Sequence, residues 1–194
     1  MIDLTILNRS RGKSVLLIHG LFTTSGYWLP YLGNLKDCRL LILDIDYRAI
    51  GEPGPYLQRV EEIIATEAQG RVDAVVAHSL GALLSSSLSD RMRRTSYEVC
   101  PVYGATRLQP ERFVEEIEQR LRSTMSGEQI RALLAQVDAA LARHVVCNPI
   151  QATIYLPETD PYFAYDPGPV GRYFKGNHFD ITAAMEEIGK ELSA

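Results

Sequence analysis

The chain has 194 residues, of which 46% are hydrophobic and 23% are charged. This length and composition are typical of one globular domain with a substantial buried core, and they exclude a disordered or fibrous protein. The formal net charge of −4 is small. The basic residues form no long stripe along the sequence, so nucleic acid is not expected as a partner.

The cysteines and the apolar segments indicate where the protein works. Cys38, Cys100 and Cys147 are an odd number of cysteines without C-x-x-C spacing, a pattern that indicates neither a disulfide framework nor a metal site. The N-terminus has no basic segment followed by an apolar core, and no later apolar run approaches the length needed to cross a bilayer. We therefore expect a cytoplasmic protein with reduced cysteines, no bound metal and no membrane span.

Short apolar segments alternate with amphipathic helical segments, which predicts a mostly parallel sheet with helices on both faces. Strands are predicted at residues 4–7, 13–18, 39–44, 72–77, 97–103 and 151–156. Helices are predicted at residues 27–35, from Pro55 towards Gly70, and at residues 82–92 and 180–192. Between the last two strands, two helical patterns begin at Pro110 and after Ser126. The sequence therefore predicts a single α/β domain over residues 1–194.

The five residues 77–81, A-H-S-L-G, lie between a predicted strand and a predicted helix. A tight turn at this point holds the central serine in a sparsely populated backbone conformation and lifts its Oγ clear of the sheet. The flanking residues must be small so that strand and helix can approach, and here they are Ala77 and Gly81. Ser79 is therefore a candidate nucleophile. The alternative interpretation is that Ser79 only caps the helix that begins at Gly81.

Two further segments accompany this turn. The apolar run at residues 15–18 is followed by H-G at residues 19–20, and G-N-H-F at residues 176–179 precedes the last predicted helix. With the serine turn, these segments make the chain resemble the α/β-hydrolase family. The family motif reads G-x-S-x-G, so Ala77 departs from it by one methyl group.

The resemblance covers the full chain and implies an α/β-hydrolase fold without a cofactor. It also implies catalytic residues in the order serine, acid, histidine. Family members commonly carry a lid at the point where the strand pattern is interrupted here. Residues 107–146 are therefore expected to form a helical cap over the site.

A serine hydroxyl needs an adjacent base to take its proton, and that base needs a carboxylate that holds its tautomer. His144 and His178 are the histidines downstream of Ser79. His144 falls in the predicted cap, whereas His178 lies in the loop where the family carries its catalytic histidine. His78 adjoins the nucleophile and should point to the opposite face of the strand. We therefore predict that His178 is the base.

Three carboxylates lie between the last predicted strand and His178, namely Glu158, Asp160 and Asp166. Asp160 follows that strand by a few residues, at the position where the family usually holds its acid. The proline after it favours an extended backbone. We predict Asp160 as the acid and keep Glu158 and Asp166 as alternatives.

The resemblance implies that the backbone N–H groups of Leu80 and Leu21 form an oxyanion hole, with Phe22 as the alternative to Leu21. Phe22, Trp28 and Phe179 lie next to the predicted site loops and are candidates for contact with the acyl group. Aromatic residues near loops also serve as ordinary packing residues.

These residues together indicate a serine hydrolase that cleaves an ester or thioester through an acyl-enzyme on Ser79. The expected partner is a small-molecule acyl substrate, either free or bound to a carrier. One alternative is an acyltransferase or cyclase that uses the same acyl-enzyme. The other is a non-catalytic protein that uses the fold to bind a ligand.

Overall fold

The computed structural model describes residues 1–121, 124–143, 152–165 and 171–194. The strands in chain order are Ile2–Leu7 (β1), Ser14–Ile18 (β2), Arg39–Ile45 (β3), Val72–His78 (β4), Arg93–Val99 (β5), Ala105–Arg107 (β6), Ala152–Pro157 (β7), Phe163–Tyr165 (β8) and Gly171–Phe174 (β9). Among the described residues, seven of these strands form one sheet in the order β1-β3-β2-β4-β5-β7-β9, and β6 pairs with β8 in a separate ribbon.

The helices are Gly54–Glu67 (α1), Gly81–Ser87 (α2), Pro110–Leu121 (α3), Gly127–Arg143 (α4) and Thr182–Ser193 (α5). Two 3₁₀ segments, Ser25–Leu35 and Tyr47–Ala49, follow β2 and β3. None of the helices in the described part of the chain is long and apolar enough to cross a membrane.

All neighbouring strands of the large sheet are parallel except β1, which runs antiparallel to β3. Every residue of β2 is buried, because both faces of the sheet are covered. Leu16 and Ile18 face one core with α1 and α2, whereas Val15 and Leu17 face the other with α5. The predicted fold class is therefore confirmed. The parallel arrangement brings the carboxyl ends of β2, β4 and β7 to one edge of the sheet.

The predicted boundary between α2 and β5 is wrong by several residues. The helix ends at Ser87 rather than at residue 92, and the strand begins at Arg93 rather than at residue 97. The buried Arg93 guanidinium donates to the backbone carbonyls of Ser85 and Leu88. The Ser85 carbonyl also accepts the backbone N–H of Leu88 at 3.1 Å. The guanidinium therefore reinforces the end of the helix at Ser87, and the chain turns early into the next strand.

A buried histidine holds the loop after β2. The His19 Nε2 atom accepts a hydrogen bond from the backbone N–H of Ile45 at 2.8 Å. Its Nδ1 atom lies 2.8 Å from the carbonyl oxygen of Gly20, to which it donates. Burial lowers the pKa of His19, so the imidazole is neutral and can make both bonds. His19 thus fixes the path of the residues that follow β2.

A second buried histidine joins the end of β4 to a distant loop. His78 Nε2 donates to the backbone carbonyl of His178 at 2.7 Å, and its ring stacks on Tyr27 with centroids 4.6 Å apart. Burial, reinforced by the nearby His178, lowers the pKa of His78 to about 3. Its Nδ1 atom has no hydrogen-bond partner in the described part of the chain. The fold therefore requires the neutral form of His78.

This requirement predicts an acid-dependent loss of stability that the His78→Gln variant should lack. The unfolded chain binds a proton on this residue below about pH 6.5, whereas the native state does so only near pH 3. Wild-type stability should fall as the pH drops through this window, by up to about 1.4 kcal/mol per pH unit for one proton. The glutamine amide can still donate to the His178 carbonyl but does not titrate.

Urea unfolding of both proteins between pH 7 and pH 4 measures the difference in the free energy of unfolding. The free energy of unfolding of the wild type should fall towards that of the variant as the pH is lowered. An unchanged difference across this range would contradict the assigned neutral state of His78.

Candidate active site

Ser79 lies in a strained turn between β4 and α2. Its φ is 53°, in the left-handed region that residues other than glycine seldom adopt. A Cβ atom at Gly81 would come within 2.6 Å of the backbone carbonyl oxygens of both Ile18 and His19, so glycine is needed there. The Ser79 N–H donates to the Val99 carbonyl at 2.9 Å and so ties the turn to β5. A strained turn of this kind between a strand and a helix lifts its central side chain clear of the sheet.

His178 occupies the loop between β9 and α5. The Asn177 side chain shapes this loop, because its Oδ1 accepts hydrogen bonds from the N–H groups of Phe179 and Asp180. The His178 side chain is only 4% exposed, and its ring stacks on Phe163 with centroids 4.8 Å apart. In this position His178 Nε2 lies 2.9 Å from Ser79 Oγ.

Asp160 lies on the other side of the same imidazole. Its Oδ2 atom is 3.0 Å from His178 Nδ1, and its Oδ1 atom accepts hydrogen bonds from the N–H groups of Tyr162 and Phe163. Burial by itself would raise the pKa of Asp160. The hydrogen bond and charge of His178, with the further donors, outweigh burial and lower that pKa below its usual value. The carboxylate is therefore ionised at neutral pH and can hold the Nδ1–H tautomer.

The two alternative acids differ from Asp160 in their placement. Glu158 is exposed, and its backbone N–H pairs with the Phe174 carbonyl at 3.0 Å. Asp166 lies outside the described residues. Of the candidate carboxylates that the structure describes, Asp160 is the one in contact with His178.

A cavity of about 170 Å³ opens next to Ser79. Its apolar wall comes from the sheet edge, from β8 and from the helical pair α3 and α4, and consists of Leu21, Leu80, Val102, Ala105, Phe113, Leu134, Val137, Leu141, Phe163 and Phe179. Apart from Ser79 and His178, the polar residues lining it are Arg107 and Asp138, which form an ion pair at 2.7 Å. The helical pair belongs to the predicted cap region, of which residues 122–123 and 144–146 lie outside the described residues.

Leu21 and Leu80, whose N–H groups are the predicted oxyanion donors, both line this cavity beside Ser79. The preceding Gly20 packs directly on the serine, because a Cβ atom at Gly20 would lie 2.8 Å from Ser79 Cβ. A side chain at residue 20 would therefore push the Leu21 loop away from Ser79. The structure thus places both residues along the wall of the cavity that Ser79 lines, and the role of their N–H groups stays a prediction.

The aromatic candidates have three different environments. Phe179 lines the cavity next to His178. Phe22 lines a neighbouring cavity with Thr23 and Met125, and Leu21 lines both cavities.

Trp28 does not reach the site. It is fully buried in the core cluster that contains Leu17 and Ala184, between the sheet and α5. This position contradicts its predicted contact with substrate. The segment 25–35 packs along the sheet, so the indole faces the core rather than the sheet edge.

Sequence reasoning missed Tyr165, whose hydroxyl lies 2.8 Å from Asp160 Oδ2 and 3.1 Å from His178 Nδ1. It also missed the Arg107–Asp138 pair in the cavity wall. All three depend on the pairing of β6 with β8 or on the packing of α4, and no motif marks these contacts. Within the described ranges, no group of three His, Cys, Asp or Glu side chains could hold a metal ion.

Solved structures with the same fold include enzymes that act on esters and thioesters. The thioesterase domain of NocB, solved as a covalent complex with a fluorophosphonate nocardicin G analogue, has 16% identity and a TM-score of 0.66, covering 99% of this chain and 100% of that chain. A carboxylesterase structure from the thaumarchaeon Nitrososphaera gargenis has 11% identity and a TM-score of 0.65, covering 99% of this chain and 92% of that chain. The carboxylesterase CesB from Bacillus subtilis has 13% identity and a TM-score of 0.64, covering 99% and 86% respectively.

At these low identities, the likeness shows the fold. No curated protein sequence matches this chain significantly. The sequence profile of the alpha/beta hydrolase family matches residues 15–190, which include Ser79, Asp160 and His178. The chain therefore belongs to the alpha/beta hydrolase family.

Proposed function

We propose that this protein is a serine hydrolase that cleaves a carboxylic ester or thioester through an acyl-enzyme on Ser79. The observation that carries the proposal is the 2.9 Å contact between Ser79 Oγ and His178 Nε2 at the wall of an apolar cavity. Membership in the alpha/beta hydrolase family supports it, as does the likeness in fold to carboxylesterases and a thioesterase domain.

In the first step, Ser79 Oγ attacks the substrate carbonyl carbon while His178 Nε2 takes the hydroxyl proton. The Asp160 carboxylate accepts the Nδ1–H bond and stabilises the imidazolium that forms. The negative charge on the former carbonyl oxygen is stabilised by the N–H groups of Leu21 and Leu80. His178 then gives its proton to the departing alcohol or thiol, which leaves the acyl group on Ser79.

In the second step, water attacks the acyl-enzyme. His178 Nε2 takes a proton from the water and returns it to Ser79 Oγ as the ester bond to the serine breaks. The products are the carboxylic acid and the free enzyme. The helical pair α3 and α4 acts as a cap that limits the access of other water molecules to the reacting carbonyl.

The cavity favours a small acyl substrate with an apolar acyl group. Its wall includes Phe113, Phe163 and Phe179, which offer apolar surface and ring edges to an alkyl or aryl group. The Arg107 and Asp138 charges neutralise each other, so they impose no net charge on the ligand. A carrier-bound thioester is compatible with this class when its acyl end enters the cavity.

A fluorophosphonate probe should label the wild-type protein and fail to label Ser79→Ala. The probe forms a covalent bond with an activated serine, and His178 Nε2 is the adjacent base. Labelling is read by intact-protein mass spectrometry. Ser89→Ala, which removes an exposed serine just after α2, is the matched control and should be labelled like wild type. Equal labelling of Ser79→Ala would contradict the assignment of the nucleophile.

Replacing the acid tests the remaining member of the proposed triad. Asp160→Asn should lower kcat by about 10⁴-fold, because the amide favours the wrong imidazole tautomer. Steady-state hydrolysis of p-nitrophenyl esters measures the effect. Glu158→Gln and Asp166→Asn make the same chemical change at the alternative positions and should retain near wild-type turnover. The reverse ranking would transfer the role of acid to one of those residues.

Narrowing the cavity should change the preferred acyl length. Val137 lines the cavity, so Val137→Phe should lower kcat/KM for octanoyl esters by about 10-fold or more while acetyl esters change little. Ala135→Phe, which adds the same ring to the exposed face of the same helix, is the matched control. A uniform loss for all chain lengths would contradict acyl binding in this cavity.

A further inference from the structure

Tyr165, at the end of β8, lies beside both the proposed acid and the proposed base. Its hydroxyl oxygen is 2.8 Å from Asp160 Oδ2 and 3.1 Å from His178 Nδ1. Burial raises the pKa of Tyr165 well above its usual value. The hydroxyl therefore stays protonated and remains a hydrogen-bond donor throughout the pH range in which enzymes work.

Counting protons fixes the direction of these bonds. His178 Nε2 must be free to accept the Ser79 proton, so the single proton of the neutral ring is on Nδ1, which donates to Asp160 Oδ2 at 3.0 Å. The Tyr165 hydroxyl has one proton, and the carboxylate is the acceptor within reach. Asp160 Oδ2 therefore receives two donors, one from the phenol and one from the imidazole.

The other carboxylate oxygen, Oδ1, accepts the N–H groups of Tyr162 and Phe163 at 2.8 and 3.1 Å. An ionised carboxylate offers about four lone-pair sites, so these four donors fill it. The carboxylate is thereby fixed in its plane and buried without an unsatisfied oxygen. Tyr165 supplies the one of these four bonds that is neither a backbone bond nor part of the triad.

We propose that Tyr165 is a positioning residue that holds Asp160 in place and limits how strongly this carboxylate attracts the His178 Nδ1 proton. The inference rests on the proposed function, because it assigns a role towards the acid and base of that mechanism. With the phenol present, the charge on Oδ2 is divided between two donors. Without it, the carboxylate acts on the imidazole alone and favours the imidazolium in the free enzyme.

Several other titratable or charged groups surround this pair. His78 is 5.2 Å from His178 between ring centroids, and burial with the nearby His178 lowers its pKa to about 3, so it stays neutral above that pH. Of the remaining groups, Arg120 stacks on the Phe179 ring and Asp180 accepts the Thr182 hydroxyl. The others are each paired or protonated, namely Tyr27, Cys100, Arg107, Glu116, Asp138 and Tyr162. The acidic limb of the activity profile therefore reports on the Asp160–His178 pair.

The test compares pH profiles of kcat/KM for wild type and Tyr165→Phe with a p-nitrophenyl ester. The midpoint of the acidic limb should move to higher pH by about half a unit or more, because the unshared carboxylate stabilises the protonated base. Turnover at the optimum should fall about 10-fold, as expected for the loss of one hydrogen bond to a charged group. Tyr173→Phe removes an exposed hydroxyl from β9 and should match wild type in both respects.

Replacing Tyr165 by 3-fluorotyrosine provides a second variant that leaves the ring and the hydroxyl in place. The fluorinated phenol is the stronger hydrogen-bond donor, so the acidic limb should shift in the direction opposite to that expected for Tyr165→Phe, and this variant carries the test if Tyr165→Phe does not fold. Wild-type profiles in every folded variant would overturn the inference, even where melting temperatures fall, because a purely structural tyrosine would affect stability alone.

The variants of Ser79 and Asp160 distinguish a failure of the proposed function from a failure of the role proposed for Tyr165. If Asp160→Asn keeps wild-type turnover, or Ser79→Ala is labelled, the mechanism itself is wrong and the role of Tyr165 falls with it. If those two variants behave as proposed while Tyr165→Phe and the 3-fluorotyrosine variant keep the wild-type profile, the role of Tyr165 alone is overturned.

Discussion

Ser79 adopts a left-handed backbone conformation between β4 and α2, and the arrangement of the site depends on that turn. Strand and helix can approach this closely only because Gly81 has no side chain to meet the carbonyls of Ile18 and His19. Gly20, in the loop after the neighbouring strand β2, in turn packs on the serine. A backbone conformation of this kind commonly costs roughly 1–3 kcal/mol. The packing of the buried sheet on both sides of the turn maintains this conformation. The hydroxyl is thus fixed before any ligand arrives.

The second constraint is the burial of charge around that hydroxyl. A carboxylate removed from water is costly unless donors surround it, and Asp160 receives four of them. Two come from its own turn, one from the imidazole of His178 and one from Tyr165. The backbone carbonyl of His178 also needs a donor, and the neutral His78 side chain supplies it. The hydrogen bonds in this region therefore satisfy buried polar atoms, and they also hold the side chains of the proposed triad in place.

The helical pair α3 and α4 gives the site its apolar character. Without these helices, Ser79 would lie at an open sheet edge. Their side chains Phe113, Leu134 and Val137 form part of the wall of the cavity beside it. The Arg107–Asp138 ion pair links β6 to α4 across this wall. An apolar, partly closed cavity strengthens the electrostatic interactions within it, which suits a reaction that develops charge on a carbonyl oxygen.

The sequence by itself determined the alternation of strands and helices and the turn at Ser79, because apolar periodicity and the small residues Ala77 and Gly81 are local signals. Through the order of catalytic residues that the family resemblance implies, it also limited the candidates for base and acid to a few residues. Only the tertiary structure decided which carboxylate contacts His178, that Trp28 lies in the core, and that the Tyr165 hydroxyl contacts Asp160. Those contacts arise from the register of short strands such as β8 and from side-chain direction, and neither leaves a periodic pattern in the sequence.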